Sequence, residues 1–371
     1  MFPVLPYEGI LLSDIEELSW WEKLGDCLKP YSNKQVNGAG IAIRDAEAWS
    51  NALEEPFKVI GNWRSSHAYP LQTIYMVLRG RAKRIDPSTI TSQRLKRVSS
   101  IHAKLARPEN RNMKLSTMQD IGGCRAIMKD IVAMRQLVSL YGSVAHDYVQ
   151  HPKSDGYRSV HIVERYKPRI PKHDIYRGCR IEIQLRSRLQ HAFATAVETV
   201  DAILGQKLKV GGGDEDWKRF FALASSVIAL REDCPPIPDT PSNRLQIIDK
   251  LRQVSEKLDA FVLLSGVHLA ASNLKQLRKR QKILGRPAAA YILELDTRDP
   301  NNGHMRIITY EAGELEKANE DYLNLEKKIF GNTKLQAVLL SVEKVSDLQP
   351  AYPNYYLDTK EFIWALQEFI H

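Results

Sequence analysis

The chain has 371 residues, of which 43% are hydrophobic and 26% are charged. This length predicts two or three domains, and the composition excludes collagen-like, coiled-coil and intrinsically disordered proteins. No apolar run reaches the ~18 residues of a membrane helix, and the N-terminus lacks the basic and apolar regions of a signal peptide. The four cysteines are far apart, with no CxxC pair, which predicts neither a disulfide framework nor a cysteine zinc site. We therefore expect a cytoplasmic protein with no membrane partner.

The net charge of +9 is unevenly distributed along the chain. Residues 64–111 contain eleven basic and two acidic residues, whereas residues 288–371 contain eight basic and fourteen acidic residues. The basic block predicts a polyanionic partner, and the acidic end has the charge to bind the basic block. Solvated helix faces are the alternative interpretation of these charge runs.

The first part of the chain is predicted to be helical. Apolar side chains recur every three or four residues from Gly40 to Trp63, and further helical patterns follow at about 71–83 and 91–105. Both later patterns carry residues of the basic block.

The middle of the chain alternates strands and helices, a pattern typical of an α/β layer. The predicted elements are strand 124–128, helix 133–141, strand 160–166, strand 179–185 and helix 187–204. Residues 233–243 contain four prolines and are predicted to be a linker, because prolines at this density do not sustain a helix.

A long helix and a small α/β unit are predicted after the linker. The elements are helix 244–283, strand 289–295, strand 305–311, helix 313–329, strand 337–343 and helix 358–370, with an Asn-Gly turn between the first two strands. The predicted domains are therefore 1–230, a linker and connecting helix at 231–285, and 286–371.

Two carboxylates are candidates for a metal site. Asp120 precedes the turn into the first strand, and Glu182 lies near the centre of strand 179–185. Carboxylates on neighbouring strands suit Mg²⁺, which takes one or two of them together with phosphate oxygens. Each acid alone is more often a salt-bridge partner. However, Arg180 and Gln184 alternate with Glu182, so one face of this strand lacks apolar residues, which favours a site.

Basic residues near this pair suit a phosphate chain. The predicted helix 91–105 presents Arg94, Arg97 and Lys104, with Ser100 between them. Arginine forks and a lysine point charge together match a triphosphate. A solvated basic face is the alternative.

The polar loop HPKSDGYRSVH supplies a candidate base-stacking residue. Tyr157 follows a glycine in this loop, with Lys153 before it and His161 after it. A tyrosine in such a loop can stack on a nucleobase, since every base has a π-face. A packed turn aromatic is the alternative.

Four motifs occur in order over residues 94–194: RLKRVSSIHAKL, QDIGGCRAI, HDYVQHPKSDGYRSVH and IEIQLRSRLQHAFA. Together they resemble the synthetase domain of the RelA/SpoT family of pyrophosphokinases. The resemblance implies an α+β fold with a mixed sheet flanked by helices. It also implies transfer of the β,γ-pyrophosphate of ATP to a ribose 3′-hydroxyl with Mg²⁺.

The resemblance also implies roles for the matching residues. Asp120 and Glu182 would hold Mg²⁺, with Glu182 near the attacking hydroxyl as its base. Tyr157 would stack the acceptor base beside Lys153, and His161 would close that loop. The ATP-binding residues would be Arg94, Lys96, Ser100, Lys104, Arg125 and Gln184.

The family divides by acceptor, and three features favour tRNA. Residues 1–90 have no hydrolase HD pair, and Arg79, Lys83 and Arg84 are surplus basic residues of the kind an RNA backbone requires. The third feature is the tail described next. We expect transfer to the 3′-terminal adenosine of tRNA, which blocks translation. A small alarmone synthetase making (p)ppGpp- or (p)ppApp-type nucleotides is the alternative. A non-catalytic RNA-binding module is disfavoured, because the motif residues are present.

The C-terminal unit resembles the zinc-finger-type domain of long Rel enzymes without its cysteines, so we expect a metal-free pseudo-zinc-finger and no zinc. With the helical linker and the sequence Tyr352-Pro-Asn-Tyr355, it resembles CapRel proteins, fused toxin–antitoxins of anti-phage defence. That resemblance implies that Tyr352 and Tyr355 occupy the ATP site and keep the enzyme off. It also implies that a phage capsid protein binds the C-terminal domain and releases the enzyme. Aromatic packing is the alternative for both tyrosines.

Overall fold

The structure is a computed structural model. It describes residues 30–46, 50–204, 208, 212–258, 260, 261, 264, 290–296, 304–311, 314–330, 335–341 and 359–370. Tyr352, Tyr355 and most of the predicted helix beyond Lys257 lie outside the described residues. Within the described part, no helix is long and apolar enough to cross a membrane.

Among the described residues, three α-helices precede the main sheet, which confirms the predicted helical start. They are α1 (Asn33–Arg44), α2 (Glu54–Ser65) and α3 (Ala68–Ile85). Ser32 and Gln35 form a reciprocal capping box at the start of α1, which satisfies two N–H groups that the first helical turn leaves unpaired. This cap explains why α1 begins before Gly40, where the apolar periodicity becomes visible.

The prediction of one helix over 91–105 is wrong in its first half. Ile90–Leu95 forms strand β1, and helix α4 spans only Val98–Leu105. The edge of strand β2 (Gly122–Met128) pairs antiparallel with β1 and so overrides the local helical pattern. Arg94 is therefore a strand residue and Arg97 is the N-cap of α4, so these two arginines do not share a helix face with Lys104.

The main sheet has five strands in the order β1-β2-β5-β4-β3. The remaining strands are β3 (His146–Asp147), β4 (Val160–Arg165) and β5 (Arg180–Ser187). Strands β2 and β5 run parallel, and the other pairs are antiparallel, so the sheet is mixed as expected. Helix α5 (Ile131–Val138) follows β2, and helix α6 (Arg188–Leu204) follows β5 directly. Strand β3 carries no sequence signal and was not predicted.

Alternation along β5 separates an apolar from a polar face. Ile181, Ile183 and Leu185 are fully buried in a core formed with α3 and α5. Each such side chain contributes about 1.5–3 kcal/mol by leaving water. The intervening polar residues therefore lie together on the opposite face of the sheet. That face carries the candidate site.

A second core lies among helices α6, α7 (Glu215–Arg231) and α8 (Arg244–Lys257). The last helix, α10 (Lys360–Ile370), also packs there, with Phe362 and Leu366 completely buried. The end of the chain therefore returns to the same core as α6.

The C-terminal unit is a three-stranded antiparallel sheet in the order β7-β6-β8. Its elements are β6 (Ala290–Asp296), β7 (His304–Tyr310), helix α9 (Leu315–Ile329) and β8 (Leu335–Ser341), which follow the predicted order. Helix α9 packs on the sheet through Ala318 and Tyr322.

Candidate active site

Asp120 joins two lysines at one end of the polar face. Its carboxylate accepts from Lys96 Nζ at 3.0 Å and from Lys104 Nζ at 2.9 Å. Lys96 follows β1 and is fixed by its backbone N–H, which donates to the carbonyl of Ile121. Lys104 extends from the last turn of α4. The fold thus gathers two cations from different elements around one carboxylate immediately before β2.

This corner keeps an excess of positive charge. Burial opposes ionisation of Asp120, but Lys96 and Lys104 hold its pKa at about 2. Asp120 is therefore a carboxylate throughout the physiological range. Because one carboxylate neutralises only one of the two lysines, the corner attracts a phosphate chain.

A hydrogen-bonded chain of side chains crosses three strands beside this corner. Arg125 Nη2 on β2 donates to Gln184 Oε1 on β5 at 3.1 Å, and Gln184 Nε2 donates to Glu182 Oε2 at 2.7 Å. The other oxygen of Glu182 lies 3.2 Å from Nδ1 of His161 on β4. The strand register explains the contacts, since Gln184 lies opposite both Arg125 and His161.

The series of side-chain hydrogen bonds continues into the loop before β4. Tyr157 Oη lies 2.8 Å from His161 Nε2 and accepts from Arg186 Nη2 at 2.8 Å. Lys153 Nζ lies 5.5 Å from the Tyr157 ring centre and 4.5 Å from that of Tyr148. The predicted residues Lys153, Tyr157 and His161 are thus brought together beside Glu182.

Gly156 shapes this loop. Its φ is +87°, and a Cβ there would lie 2.7 Å from Phe193 and 3.1 Å from Ser225. A side chain at this position would be strained and would also collide with the α6–α7 core. The glycine before Tyr157 is therefore required for the close approach of the loop.

The charges of these hydrogen-bonded side chains favour an ionised Glu182. Burial opposes its ionisation, but His161 lowers the pKa of Glu182 below its usual value. Burial likewise opposes protonation of His161, but Glu182 and Tyr157 raise the pKa of His161. Burial raises the pKa of Tyr157, but Arg186 and His161 outweigh it and bring the pKa to about 7. Glu182 is therefore in the proton-accepting form that a general base requires.

Two buried residues of the site were missed by the sequence reasoning. Arg186 is 3% exposed, and among the described residues its Nε and Nη1 find no hydrogen-bond partner. Neither ring nitrogen of His191 has one in this part of the chain. Extending the β5 alternation by one step beyond Gln184 would have found Arg186. His191 lies in the first turn of α6; it belongs to the motif IEIQLRSRLQHAFA, but no role was predicted for it.

Asp120 and Glu182 suit a metal ion that also binds phosphate oxygens of a ligand. The negative charge of Asp120 opposes ionisation of Glu182, although His161 outweighs this effect and the pKa of Glu182 is lowered. The described residues contain no cluster of three or more His, Cys, Asp or Glu side chains able to hold a metal. Two carboxylates are a donor set that Mg²⁺ takes together with phosphate oxygens.

The remaining predicted residues fall into two groups. Arg94 is exposed on β1. Gly123 on the central strand β2 pairs with Arg94 on one side and with Glu182 of β5 on the other. Because glycine has no side chain, none stands between Arg94 and Glu182 on that face of the sheet. Ser100 lies on α4, one turn before Lys104. The residues predicted to bind tRNA, Arg79, Lys83 and Arg84, are not grouped with these site residues. They lie on α3, which packs against the apolar face of the sheet.

Lys83 also has a local structural role. Its ammonium donates to the carbonyls of Pro87 and Thr89, both at 2.8 Å. These bonds hold the turn that follows α3.

The segment that contains this site is similar in sequence to a known protein family. Residues 93–200 match a family model described as "Region found in RelA / SpoT proteins". The matched segment contains Asp120, Tyr157, His161 and Glu182. This segment is therefore similar to the region found in RelA / SpoT proteins. The match confirms the expected enzyme class, a transferase of the RelA/SpoT pyrophosphokinase type.

Solved structures give a weaker likeness. Small alarmone synthetase 1 from Bacillus subtilis bound to its product pppGpp has 23% identity and a TM-score of 0.37, covering 45% of this chain and 88% of that chain. A GTP pyrophosphokinase family protein from Streptococcus pneumoniae has 20% identity and a TM-score of 0.38, covering 50% and 91%. Small alarmone synthetase 2 from Bacillus subtilis has 20% identity and a TM-score of 0.38, covering 46% and 93%. A comparison with curated proteins found no match. Likeness at this level carries no functional argument.

Proposed function

We propose that this enzyme transfers the β,γ-pyrophosphate of ATP to the 3′-hydroxyl of the 3′-terminal adenosine of tRNA. The observation that carries the proposal is the position of an ionised Glu182. On one side of Glu182, Lys96 and Lys104 surround Asp120 and leave one positive charge in excess. On the other side, His161 connects Glu182 to the aromatic ring of Tyr157. A phosphate donor on one side and a base-bearing acceptor on the other fit this order of groups.

The donor side binds and orients ATP. Lys96 and Lys104 would contact the phosphate chain, and Arg94 and Arg125 would add contacts from β1 and β2. Mg²⁺ bound by Asp120 and Glu182 together with phosphate oxygens would neutralise charge on the transferred group.

The acceptor side positions the hydroxyl for attack. The terminal adenine would stack on Tyr157, which brings the ribose toward Glu182. Glu182 accepts the proton of the 3′-hydroxyl, and the oxygen attacks the β-phosphorus of ATP. The bond between the β-phosphorus and its bridging oxygen to the α-phosphate breaks, and AMP leaves. Positioning and charge neutralisation supply most of the catalysis in such transfers.

Contacts at α4 support control of this site by the C-terminal unit. The buried carboxylate of Glu326 on α9 accepts from the backbone N–H of Val98 at 2.9 Å, at the start of α4. The ring of Phe330 packs against Phe57 and His102, with ring centres 5.5 and 4.9 Å apart. Because α4 carries Ser100 and Lys104, a unit held there is placed to restrain ATP binding.

We further propose that Tyr352 and Tyr355 contribute to this restraint and that a phage capsid protein relieves it, as in CapRel proteins. The support is the sequence resemblance together with the α4–α9 contact. An activating partner can shift the balance only by binding the released state more tightly. A shift from about 1% to 99% released requires roughly 5.5 kcal/mol of differential binding, which suits a protein partner better than a small anion.

The acceptor is tested by competition between nucleic acid and nucleotide. The full chain is incubated with ATP labelled in the γ-phosphate and with bulk tRNA, GDP or GTP, separately and mixed. We expect label on the 3′ end of tRNA and none on tRNA whose terminal ribose has been oxidised by periodate. Label on GDP or GTP but not on tRNA would instead make the protein a small alarmone synthetase. That outcome overturns the tRNA proposal and leaves the transfer chemistry in place.

A further inference from the structure

We propose that His146 and Tyr148 form a second base-stacking position, which binds the nucleotide that precedes the terminal adenosine of the RNA acceptor. We call these two residues the edge subsite. The proposal rests on the proposed function for the identity of the acceptor, and it names what would distinguish an RNA end from a free nucleotide. Both residues belong to the motif HDYVQHPKSDGYRSVH, but no role was predicted for them from the sequence.

The strand register places the edge subsite on the same face of the sheet as the catalytic carboxylate. His146 on β3 pairs directly with His161 on β4, whose ring contacts Glu182. Directly paired residues share a face of the sheet, and so do residues two apart on one strand. Asp147, between the two rings of the subsite, points the other way and accepts from Arg135 on α5 at 3.2 Å. Helix α5 packs against the apolar face.

The ring of Tyr148 connects the edge subsite to Tyr157. It meets the rings of Tyr157 and His161 edge-on, with ring centres 5.8 and 5.2 Å apart. The ring of His146 stacks on Tyr148 at 5.3 Å, with the two planes 14° apart. His146 is exposed and Tyr148 is partly exposed. The imidazole is therefore the outer layer of a stacked pair beside Tyr157, and histidine and tyrosine rings are surfaces on which unpaired bases stack.

The order of the strands gives the bound RNA a direction. The lysines of the donor side lie where β1 ends and β2 begins, Glu182 lies on β5, and His161 lies on β4. Strand β3 comes last in the described sheet, so the edge subsite is at the end opposite the donor side. At a strand spacing of about 4.8 Å, it lies roughly 10 Å from β5, within reach of the adjacent nucleotide. An acceptor whose 3′-hydroxyl faces Glu182 therefore extends toward β3, where the sheet ends.

Lys153 lies between the two base-stacking positions. Its ammonium is 4.5 Å from the ring centre of Tyr148 and 5.5 Å from that of Tyr157. The phosphate that links two nucleotides stacked on these rings would pass close to this ammonium. Asp155, two residues on, accepts from the backbone N–H of Tyr157 at 2.9 Å and so helps to fix the loop. A cation between stacking rings is an arrangement that single-stranded nucleic-acid sites use.

The edge subsite is formed before any RNA binds. The backbone N–H groups of Ala145 and Tyr148 donate to the carbonyls of His161 and Ser159 at 2.8 and 3.0 Å, which ties both ends of the short β3 to β4. The carboxylate of Asp147 accepts from two backbone N–H groups of the turn that follows, both at 3.1 Å. A surface held in this way loses little conformational entropy on binding.

The edge subsite would add affinity only for an acceptor longer than one nucleotide. A free nucleotide such as GDP or GTP has one base, which would occupy Tyr157, and no second base to stack on His146. An RNA end has both. Since one stacked base strengthens binding about fivefold or more, the subsite would favour RNA over free nucleotides.

The test is a thermodynamic cycle on the full chain without ATP. The probes are the dinucleotide CpA and an abasic analogue that keeps the ribose and the linking phosphate but lacks the cytosine. Calorimetric titration gives the dissociation constant of each. We expect the wild type to bind CpA about fivefold or more tightly than the abasic analogue. In the edge variant, which carries His146→Ser and Tyr148→Leu, the ratio of the two constants should fall to about one.

Three further variants make the cycle specific for a stacking ring. His146→Tyr keeps a ring and should keep the wild-type ratio, whereas His146→Ser alone, a change at an exposed position, should lower it. The matched control is His151→Ser, because His151 is exposed in the same part of the chain and has no ring contact among the described residues. It should keep the wild-type ratio. Circular dichroism melting establishes that each variant is folded. Equal binding of both probes by the wild type, or a wild-type ratio in the folded edge variant, overturns the proposal.

The cycle also distinguishes this proposal from the proposed function, because it needs no turnover. Label on GDP or GTP but not on tRNA overturns the proposed function, whereas a preference for CpA that the edge variant loses still supports the subsite. Label on tRNA by an enzyme that binds CpA and the abasic analogue equally leaves the function in place and overturns the subsite.

Discussion

At the scale of single residues, the central feature is the chain of contacts from Arg125 through Glu182 to Arg186. Apart from the Gln184–Glu182 contact within β5, the links connect neighbouring strands or the loop before β4, so a shift of one strand by one residue would break them. The two carboxylates and the loop tyrosine were predictable because their motifs are local in sequence. Arg186 was predictable from the alternation along β5 but was not singled out, whereas the buried ring nitrogens of His191, which have no hydrogen-bond partner among the described residues, are revealed only by the folded structure.

Tyr157 should ionise far below the other tyrosines. Its pKa of about 7 results mainly from Arg186 and His161 working against burial. Ultraviolet titration of tyrosinate should show one group ionising near neutral pH in the wild type and none in Tyr157→Phe. In Arg186→Gln the ionisation should move to higher pH, since a neutral amide does not stabilise the phenolate. A wild-type titration without a neutral-pH step would contradict this assignment.

The same shift links stability to pH. A tyrosine in the unfolded chain has a pKa of about 10, so the folded state binds fewer protons between about pH 7 and pH 10. The contribution of Tyr157 to stability is therefore fully present above the unfolded pKa and is lost as pH falls through the folded value. Urea unfolding at about pH 6 and about pH 9 should show a larger difference between wild type and Tyr157→Phe at the higher pH.

At the scale of elements, hydrophobic periodicity located most helices and strands, because amphipathic segments reveal their own period. The assignment failed at β1, where Ile90–Leu95 pairs with β2 despite its helical pattern. It also missed β3, whose two residues have no periodicity to detect. In both places, long-range strand pairing determines the backbone.

The contact between α4 and α9 makes Glu326 a test of regulation. Its carboxylate also accepts from Tyr322 Oη at 2.7 Å, and it is 2% exposed. Glu326→Ala leaves the Val98 N–H and the Tyr322 hydroxyl without this acceptor, at a cost of about 1–3 kcal/mol to the docked unit. We expect basal pyrophosphokinase activity to rise several-fold without any partner protein.

The matched control is Glu320→Gln, because Glu320 is exposed on the same helix. This variant should leave activity and melting temperature near those of the wild type. A Glu326→Ala protein that melts earlier but shows wild-type activity would indicate a purely structural contact.

At the scale of the whole molecule, two described helices near the C-terminus contact earlier parts of the fold. Helix α9 contacts α4, and α10 completes the core of α6, α7 and α8. The predicted boundary at residue 286 stays a prediction, because apolar periodicity marks a helix but does not say which core it joins. Removing the whole C-terminal segment would therefore also damage the core beside Tyr157.

Helix α10 provides a direct test of that core. Leu366→Ala should lower the free energy of unfolding by about 2–5 kcal/mol, since Leu366 is fully buried among apolar residues of α6–α8. Trp364→Ala on the exposed side of the same helix should cost far less. Denaturant unfolding of both variants measures the difference. Equal losses would mean that α10 does not pack as described.

The central claim is pyrophosphoryl transfer with Glu182 as base, and the ratio of AMP to labelled RNA tests it most directly. Wild type, Glu182→Gln and Glu164→Gln are incubated with tRNA and ATP labelled in the γ-phosphate. Glu164 is the control because it alternates with Val163, the residue opposite Glu182, and so lies on the other face of β4. We predict one AMP per labelled RNA for wild type and Glu164→Gln, and a rate lower by about 10²–10⁴ for Glu182→Gln. Near wild-type transfer by Glu182→Gln, or release of ADP in place of AMP, would contradict the account.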